Sequence, residues 1–350
     1  MKFPISAYGM HQFWRKNYVM RVNLTPRKVF NTARRVFSLV TSNPDVGGVP
    51  VHIKVDVSPN CQMRCPICLH SKLSHPERVS LPKPMELQTF MGLVDQVAGR
   101  TLAMSLYNLG EPLLNKNLAK MLRYAADANI NTYITSNFSL PLSDEAIREL
   151  AESGLTQLII AIDGLSPETF GQQRIRGDLA IVEDNLRRLV QFRKGKHPLI
   201  TLQYLVFDHN SHEVPLLEDY RRRMGIDDML VFRGSDGRKN PWIDRFAPRK
   251  GWRPWPKKRM PLCGWPYLSA LVATDGHVYG CCHYRMEENY LHRDTARPLG
   301  NIHKQSMDKI YASPAYKEAR QLSADPGRHG PLPDHFCHGC KILQDHDDRP

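Results

Sequence analysis

Residues 51–70 read VHIKVDVSPNCQMRCPICLH, and the fold follows from this stretch. From Val51 to Val57 apolar and polar residues alternate, the signature of a β-strand with one buried face. Directly after it stand Cys61, Cys65 and Cys68, spaced C-x3-C-x2-C. Reading outward, strands are predicted at 102–107, 131–135, 157–163, 199–207 and 229–233. Helical spacing fills the intervals at 85–98, 118–128, 144–153, 179–192 and 214–224. Six strands separated by five helices imply an α/β fold with a parallel sheet and right-handed crossovers.

In such folds function collects at the carboxyl edge of the sheet, which is where the three cysteines fall. The chain holds eight cysteines, and no signal peptide is read at its start, so metal or catalysis is a better account of them than disulfides. Three thiolates on one loop can hold three corners of a cubane cluster and leave one iron open to a chelator. A closed zinc site would use four ligands. Cys65 and Cys68 with Cys337 and Cys340 could make one, but that leaves Cys61, Cys263 and Cys281 without a purpose.

Other pieces of sequence fall at the ends of successive strands. Asn108-Leu109-Gly110-Glu111-Pro112 follows the second, Thr135-Ser136-Asn137 the third, and Ala161-Ile162-Asp163-Gly164 the fourth. Phe170 to Gly177 reads FGQQRIRG. Each alone is an ordinary turn, cap or loop signal. In this order, with the cysteine loop, they resemble the radical S-adenosylmethionine (SAM) superfamily. The resemblance covers residues 50–235 and implies a partial (β/α)6 TIM-like barrel. It implies a SAM-binding [4Fe-4S] cluster on Cys61, Cys65 and Cys68. Gly110, Glu111 and Pro112 match the family's GEP motif, in which the carboxylate receives the cofactor's amino group. Ser136, Asn137 and Asp163 match polar cofactor contacts, and Arg174 and Arg176 are both candidates for its carboxylate. Two departures are present. Ala161 stands where relatives carry Ser, and Gln62-Met63 replaces the common Asn-Leu.

After Cys263, residues 271–281 read LVATDGHVYGC, ending in Cys281, a hairpin around Asp275-Gly276. With Gly276-x4-Cys281, Leu299 to Ile302 and Cys337-x2-Cys340, this region resembles the SPASM or shorter twitch extension of the same superfamily. That implies one auxiliary [4Fe-4S] cluster on Cys263, Cys281, Cys337 and Cys340, with the Gly-x4-Cys spacing favouring Cys281 over Cys282. The expected organisation is a basic N-terminal segment (1–49), the barrel (50–235), a basic Trp/Pro-rich bridge (236–262) and a small cluster-binding α+β extension (263–350).

The resemblance implies reductive cleavage of SAM, hydrogen abstraction from an organic substrate and a net oxidation assisted by the auxiliary cluster. It also implies a reductant such as flavodoxin or ferredoxin. A peptide-modifying maturase is the alternative, against which residues 1–50 look short for a leader-binding module. An iron–sulfur electron carrier is a further alternative.

The formal net charge is +13, and it is concentrated. Residues 1–50 hold eight Lys/Arg against one Asp, and residues 233–262 hold ten against two. Such patches suit an anionic partner. An RNA partner is weakly supported, because Trp242, Trp252 and Trp255 lie in a Pro-rich context that favours packing. Residues 25–40 read TPRKVFNTARRVFSLV, a helix with Val29, Phe30, Ala33, Val36, Phe37 and Val40 on one face and Arg27, Lys28, Arg34 and Arg35 on the other. This pattern fits an anionic membrane surface or a lipid-like substrate. It fits better a helix packed on the barrel with its basic side in water. No apolar run is long enough to span a bilayer, so the expected location is cytoplasmic with peripheral membrane contact.

Overall fold

The computed structural model describes residues 23–45, 47–68, 70–71, 83–234, 261, 263–281 and 298–325. Most of the expected bridge, and Cys282, Cys337 and Cys340, lie outside them.

The alternation of the sequence is the alternation of the fold. Strands β1 (His52–Val55), β2 (Ala103–Ser105), β3 (Asn131–Ser136), β4 (Gln157–Ala161), β5 (Leu199–Val206) and β6 (Asp228–Arg233) pair in order, all parallel. Helices α2 (Leu87–Val97), α3 (Leu118–Asp127), α4 (Asp144–Glu152), α5 (Pro167–Gln173), α6 (Leu179–Phe192) and α7 (Leu217–Arg223) lie in the connections. This is an α/β partial TIM barrel. On β1, Ile53 and Val55 join the buried core with Phe90, Leu93 and Val94 of α2. His52 and Lys54, at the alternate positions, face the barrel lumen. β4 is buried along its whole length, as a strand covered on both faces must be.

Three local readings change. Helix α5 was not anticipated; Ser166 caps it by accepting the Thr169 N–H at 3.2 Å, and Pro167 sits at its first position. The helix expected from Val214 opens instead as a 3-10 turn, Ser211–Leu216, because it contains Pro215; the α-helix starts at Leu217. The C-terminal hairpin is not apart from the barrel. Its first strand β7 (Ser269–Val272) pairs parallel with β1, placing His52 beside Ser269 and Val55 beside Val272. β8 (His277–Tyr279) and β9 (Gly300–Asn301) continue the sheet antiparallel. Short helices α8 (Trp265–Leu268), α9 (Met307–Tyr311) and α10 (Pro314–Ala324) complete this end. Buried Arg320 ties them together: its guanidinium donates to the carbonyls of Pro266 at 3.0 Å and Tyr311 at 2.8 Å, and stacks over the Tyr311 and Tyr316 rings.

The N-terminal helix α1 (Pro26–Thr41) reverses its expected orientation. Its N-cap is Thr25, followed by Pro26 as predicted. The face packed on the protein is the polar one, with Lys28, Asn31, Arg35 and Ser38 buried, while Phe30 and Phe37 are 65% and 58% exposed. The reason is the surface it covers. The chain just before β1, β2 and β3 presents backbone carbonyls, and these need donors rather than methyl groups.

Candidate active site at the carboxyl edge of the sheet

The cysteine loop leaves the carboxyl end of β1 and is held by backbone and side-chain bonds. The Asn115 side chain donates to the carbonyls of Val57 at 2.8 Å and Met85 at 3.0 Å. The Arg64 N–H donates to Ile175 O at 3.0 Å, fastening the loop to the chain beyond α5. Cys68 N–H reaches back to Cys65 O at 3.0 Å. Gln62 donates to the Asn137 side-chain oxygen at 2.9 Å and to Ser139 O at 3.1 Å, so the departure from the family's usual residue ties the loop to the end of β3. Met63 packs under Gly177, where a Cβ would collide with its terminal methyl.

Gly110 has φ +97°, and a Cβ there would overlap the carbonyl oxygens of Ser58 and Asn60. The tight turn brings Glu111 under the loop, its N–H bonded to Asn60 O at 2.6 Å. Pro112 opens a 3-10 turn capped by Glu111. The Glu111 carboxylate is buried and accepts from Ser136 Oγ at 2.7 Å, Leu113 N–H at 3.1 Å and Asn137 N–H at 2.8 Å. A carboxylate offers about four acceptor positions, so one remains, on the oxygen bonded to Asn137. Burial raises its pKa to about 7, against the pull of those donors and of Arg174. A cationic ligand group there would restore the charged form.

Asp163 and Arg174 form a buried ion pair at 2.7 Å. The second Asp163 oxygen accepts Leu205 N–H at 2.9 Å. Arg174, the residue that ends α5, also reaches the Cys65 thiol, and both partners hold it charged despite its burial. Arg176 is exposed and sits in the left-handed region at φ +68°. The structure therefore separates the two arginines offered by the sequence: Arg174 faces inward beside the cysteine loop and Arg176 does not.

Burial, with Glu111 and the other two thiols close by, pushes the Cys61 thiol up to about 12. Burial also raises Cys65, although Arg174 opposes it. Thiols in this state ionise only beside a strong positive centre, which an iron–sulfur cluster supplies. Among the described residues no three His, Cys, Asp or Glu converge as they would around one ion. A cubane binds each thiolate through a different iron, so its ligands stand farther apart. The buried Ser58 hydroxyl and Asn108 amide have no hydrogen-bond partner among the described residues, as expected where a polar ligand completes the site. The residues present fit the group: Cys61, Cys65 and Cys68 would hold the cluster, and Glu111 and Arg174 would meet the amino and carboxylate groups of SAM.

Sequence reasoning passed over the lumen wall below this site. His52 stacks on Tyr133 and hydrogen-bonds its hydroxyl at 2.9 Å and Ser105 Oγ at 3.0 Å. The Lys54 ammonium lies over the Tyr107 ring at 4.7 Å. Burial, helped by the Lys54 charge, lowers His52 to about 3, so its imidazole is neutral. The signal was available: His52 and Lys54 are the polar members of the alternating first strand.

The described members of the second cysteine set, Cys263 and Cys281, lie at the other end. β7 runs parallel to β1, so Cys263, before β7, is at the amino edge of the sheet. Leu271 pairs with Tyr279, so Cys281, two residues beyond, returns to the same edge. Trp265, two residues after Cys263, meets His52 edge-on at 6.4 Å.

The radical SAM superfamily model matches residues 55–219 and the SPASM iron–sulfur cluster-binding model residues 263–341. The chain belongs to the radical SAM superfamily and carries a C-terminal SPASM-type iron–sulfur domain. These domains imply a SAM-binding [4Fe-4S] cluster, auxiliary cluster binding and SAM as cofactor. A tungsten-containing aldehyde ferredoxin oxidoreductase cofactor-modifying protein of Pyrococcus furiosus is 25% identical over 186 residues, which is 51% of this chain and 50% of that protein. A probable GTP 3′,8-cyclase of Methanococcus maripaludis is 23% identical over 172 residues, 49% of this chain and 55% of its own. The chain thus spans about half the length of the curated relatives it matches. Among solved structures, Streptococcus suis SuiB bound to S-adenosylmethionine superposes with a TM-score of 0.60 at 14% identity, over 90% of this chain and 76% of SuiB. SuiB is also known bound to its precursor peptide SuiA.

Proposed function

We propose that this chain is an enzyme that cleaves SAM reductively at the carboxyl edge and oxidises an organic substrate bound in the lumen. One observation carries the reading: register and topology put the Cys61–Cys68 loop and the Cys263, Cys281 pair at opposite edges of one sheet, with a polar lumen wall between them. When bound, the cluster and SAM together supply one-electron cleavage of a carbon–sulfur bond and hydrogen abstraction. The chain's own residues position and shield these groups. Glu111 and Arg174 orient SAM by its amino and carboxylate groups, and Asp163 and Leu205 N–H fix Arg174 in place. The concentrated positive charge of the chain favours an anionic small molecule as the substrate. Cys263, Cys281, Cys337 and Cys340 would hold the auxiliary cluster, which would supply an acceptor for the electron released when the substrate is oxidised. A flavodoxin or ferredoxin supplies the first electron.

The overall likeness to SuiB supports a second reading, in which a peptide enters the lumen.

Anaerobically reconstituted protein, reduced and given SAM, is expected to release methionine and 5′-deoxyadenosine. Titration with SAM is expected to show binding that Glu111→Gln weakens about tenfold, the loss of one charge-assisted contact. Reconstituted protein that binds no SAM would instead be an iron–sulfur electron carrier.

A further inference from the structure

Helix α1 holds an apolar face outward by design of its inner face. Ten large hydrophobic side chains are exposed among the described residues, and six of them, Leu24, Val29, Phe30, Val36, Phe37 and Val40, lie on or next to this one helix. Patches of this kind mark interaction surfaces. The orientation is fixed by buried polar pins. Lys28 Nζ donates to Asn23 O at 3.0 Å and to Asn129 O. The Asn31 amide donates to Val49 O at 3.0 Å and Arg100 O at 3.1 Å, and its oxygen accepts Val49 N–H at 3.2 Å. Ser38 Oγ donates to Asn43 O at 2.5 Å, and Arg35 lies over the Tyr311 ring at 5.3 Å. Rolling the helix to hide its apolar face would strand all of these groups.

The pins also locate the helix. Val49, Arg100 and Asn129 immediately precede β1, β2 and β3, so α1 crosses the amino edge of the sheet. Its apolar face points away from the lumen and away from the SAM site at the carboxyl edge.

The charge around the face selects its occupant: Asp45, which lies beside Phe30 and Phe37, is paired with Lys317, and the helix itself is cationic. The helix contains four basic residues and no acidic one. With Lys28 and Arg35 turned inward, Arg27 and Arg34 are exposed beside the apolar stripe, Arg34 over the Phe30 ring at 5.6 Å. Residues 1–22 add four cations and no acid. If that segment, or the same face of a second copy, covered the helix, cations would be set against cations. An anionic bilayer presents the complement, acyl chains for Phe30 and Phe37 and anionic headgroups for the arginines.

We propose that this protein docks on anionic membranes through the outward apolar face of α1, with the amino edge of its barrel toward the bilayer and the SAM site facing away from it. The sequence pattern fits an anionic membrane surface without saying which face meets it; the structure assigns the contact to the apolar face, with Arg27 and Arg34 at its border.

The test is co-sedimentation of the full chain, reconstituted with its clusters, with phosphatidylcholine vesicles that contain or lack phosphatidylglycerol. Binding is expected only with phosphatidylglycerol, weakened at least about tenfold by Phe30→Ser with Phe37→Ser and by Arg27→Glu with Arg34→Glu. Both pairs are exposed, so iron content and melting temperature in the absence of lipid should stay at the wild-type values. No binding by the wild-type chain overturns the proposal. So does a concentration-dependent dimer that the Phe pair dissociates, which would make the face a contact between copies. A fall in melting temperature without lipid, equal for the Phe pair and for deletion of residues 1–22, also overturns it, since that segment would then be the occupant.

Discussion

The two edges of the same sheet handle buried polar groups in opposite ways. At the carboxyl edge Glu111, Asn137, Asp163 and Arg174 are interlocked, yet acceptor and donor positions are left over: one on Glu111, and those of Ser58 and Asn108. At the amino edge polar groups are sealed. His52 is enclosed by Tyr133, Ser105 and Trp265, Arg320 lies between two tyrosine rings, and α1 covers the strand starts. Spare hydrogen-bonding capacity beside the cysteine loop suits an end built to receive a ligand, whereas the amino edge is covered by α1 and the C-terminal helices.

The hardest way to break this comparison is at the open edge. Cys65→Ala should abolish 5′-deoxyadenosine formation and remove about four of eight irons, one cubane's worth; retained turnover would show that the loop does not hold the cluster. At the sealed edge the effect should be on stability. Folded His52, near 3, binds fewer protons than the unfolded chain, where it titrates at about 6.5. Its contribution is therefore intact above pH 6.5 and lost as pH falls toward 3, by up to about 5 kcal/mol. Urea unfolding of His52→Gln across that range should show a flatter pH dependence than wild type; parallel curves would mean the imidazole is not enclosed. The smallest expected effect sharpens the division of labour between the two arginines. Arg174→Lys should weaken SAM binding about tenfold, through loss of a bidentate-capable donor, while Arg176→Lys should leave it within about twofold, as for an exposed side chain.

How much of this was legible follows from locality. Strand periodicity and caps are local, so β1 to β6 and most helices fell within a residue or two of their predicted ends. The C-x3-C-x2-C loop, Gly110-Glu111-Pro112 and Asn137 were legible because each sits at a strand's carboxyl end. What pairs across the sheet was not. Nothing local to Ser269–Val272 says that it joins β1. Nor does a helical wheel say which face turns inward: α1 is amphipathic, but the carbonyls it meets come from three distant strand starts. Nothing local to Gln62 says that its side chain bonds Asn137 and Ser139, just beyond β3.

The central claim is that the two cysteine sets, at opposite edges, build separate clusters with separate tasks. It is tested most directly by iron content and 5′-deoxyadenosine formation in the wild-type chain and in the Cys263→Ala, Cys281→Ala double variant. The account predicts about eight irons falling to about four, one cubane lost and one kept, with SAM cleavage retained. A variant that keeps about eight irons, or that loses SAM cleavage while keeping four, would contradict it.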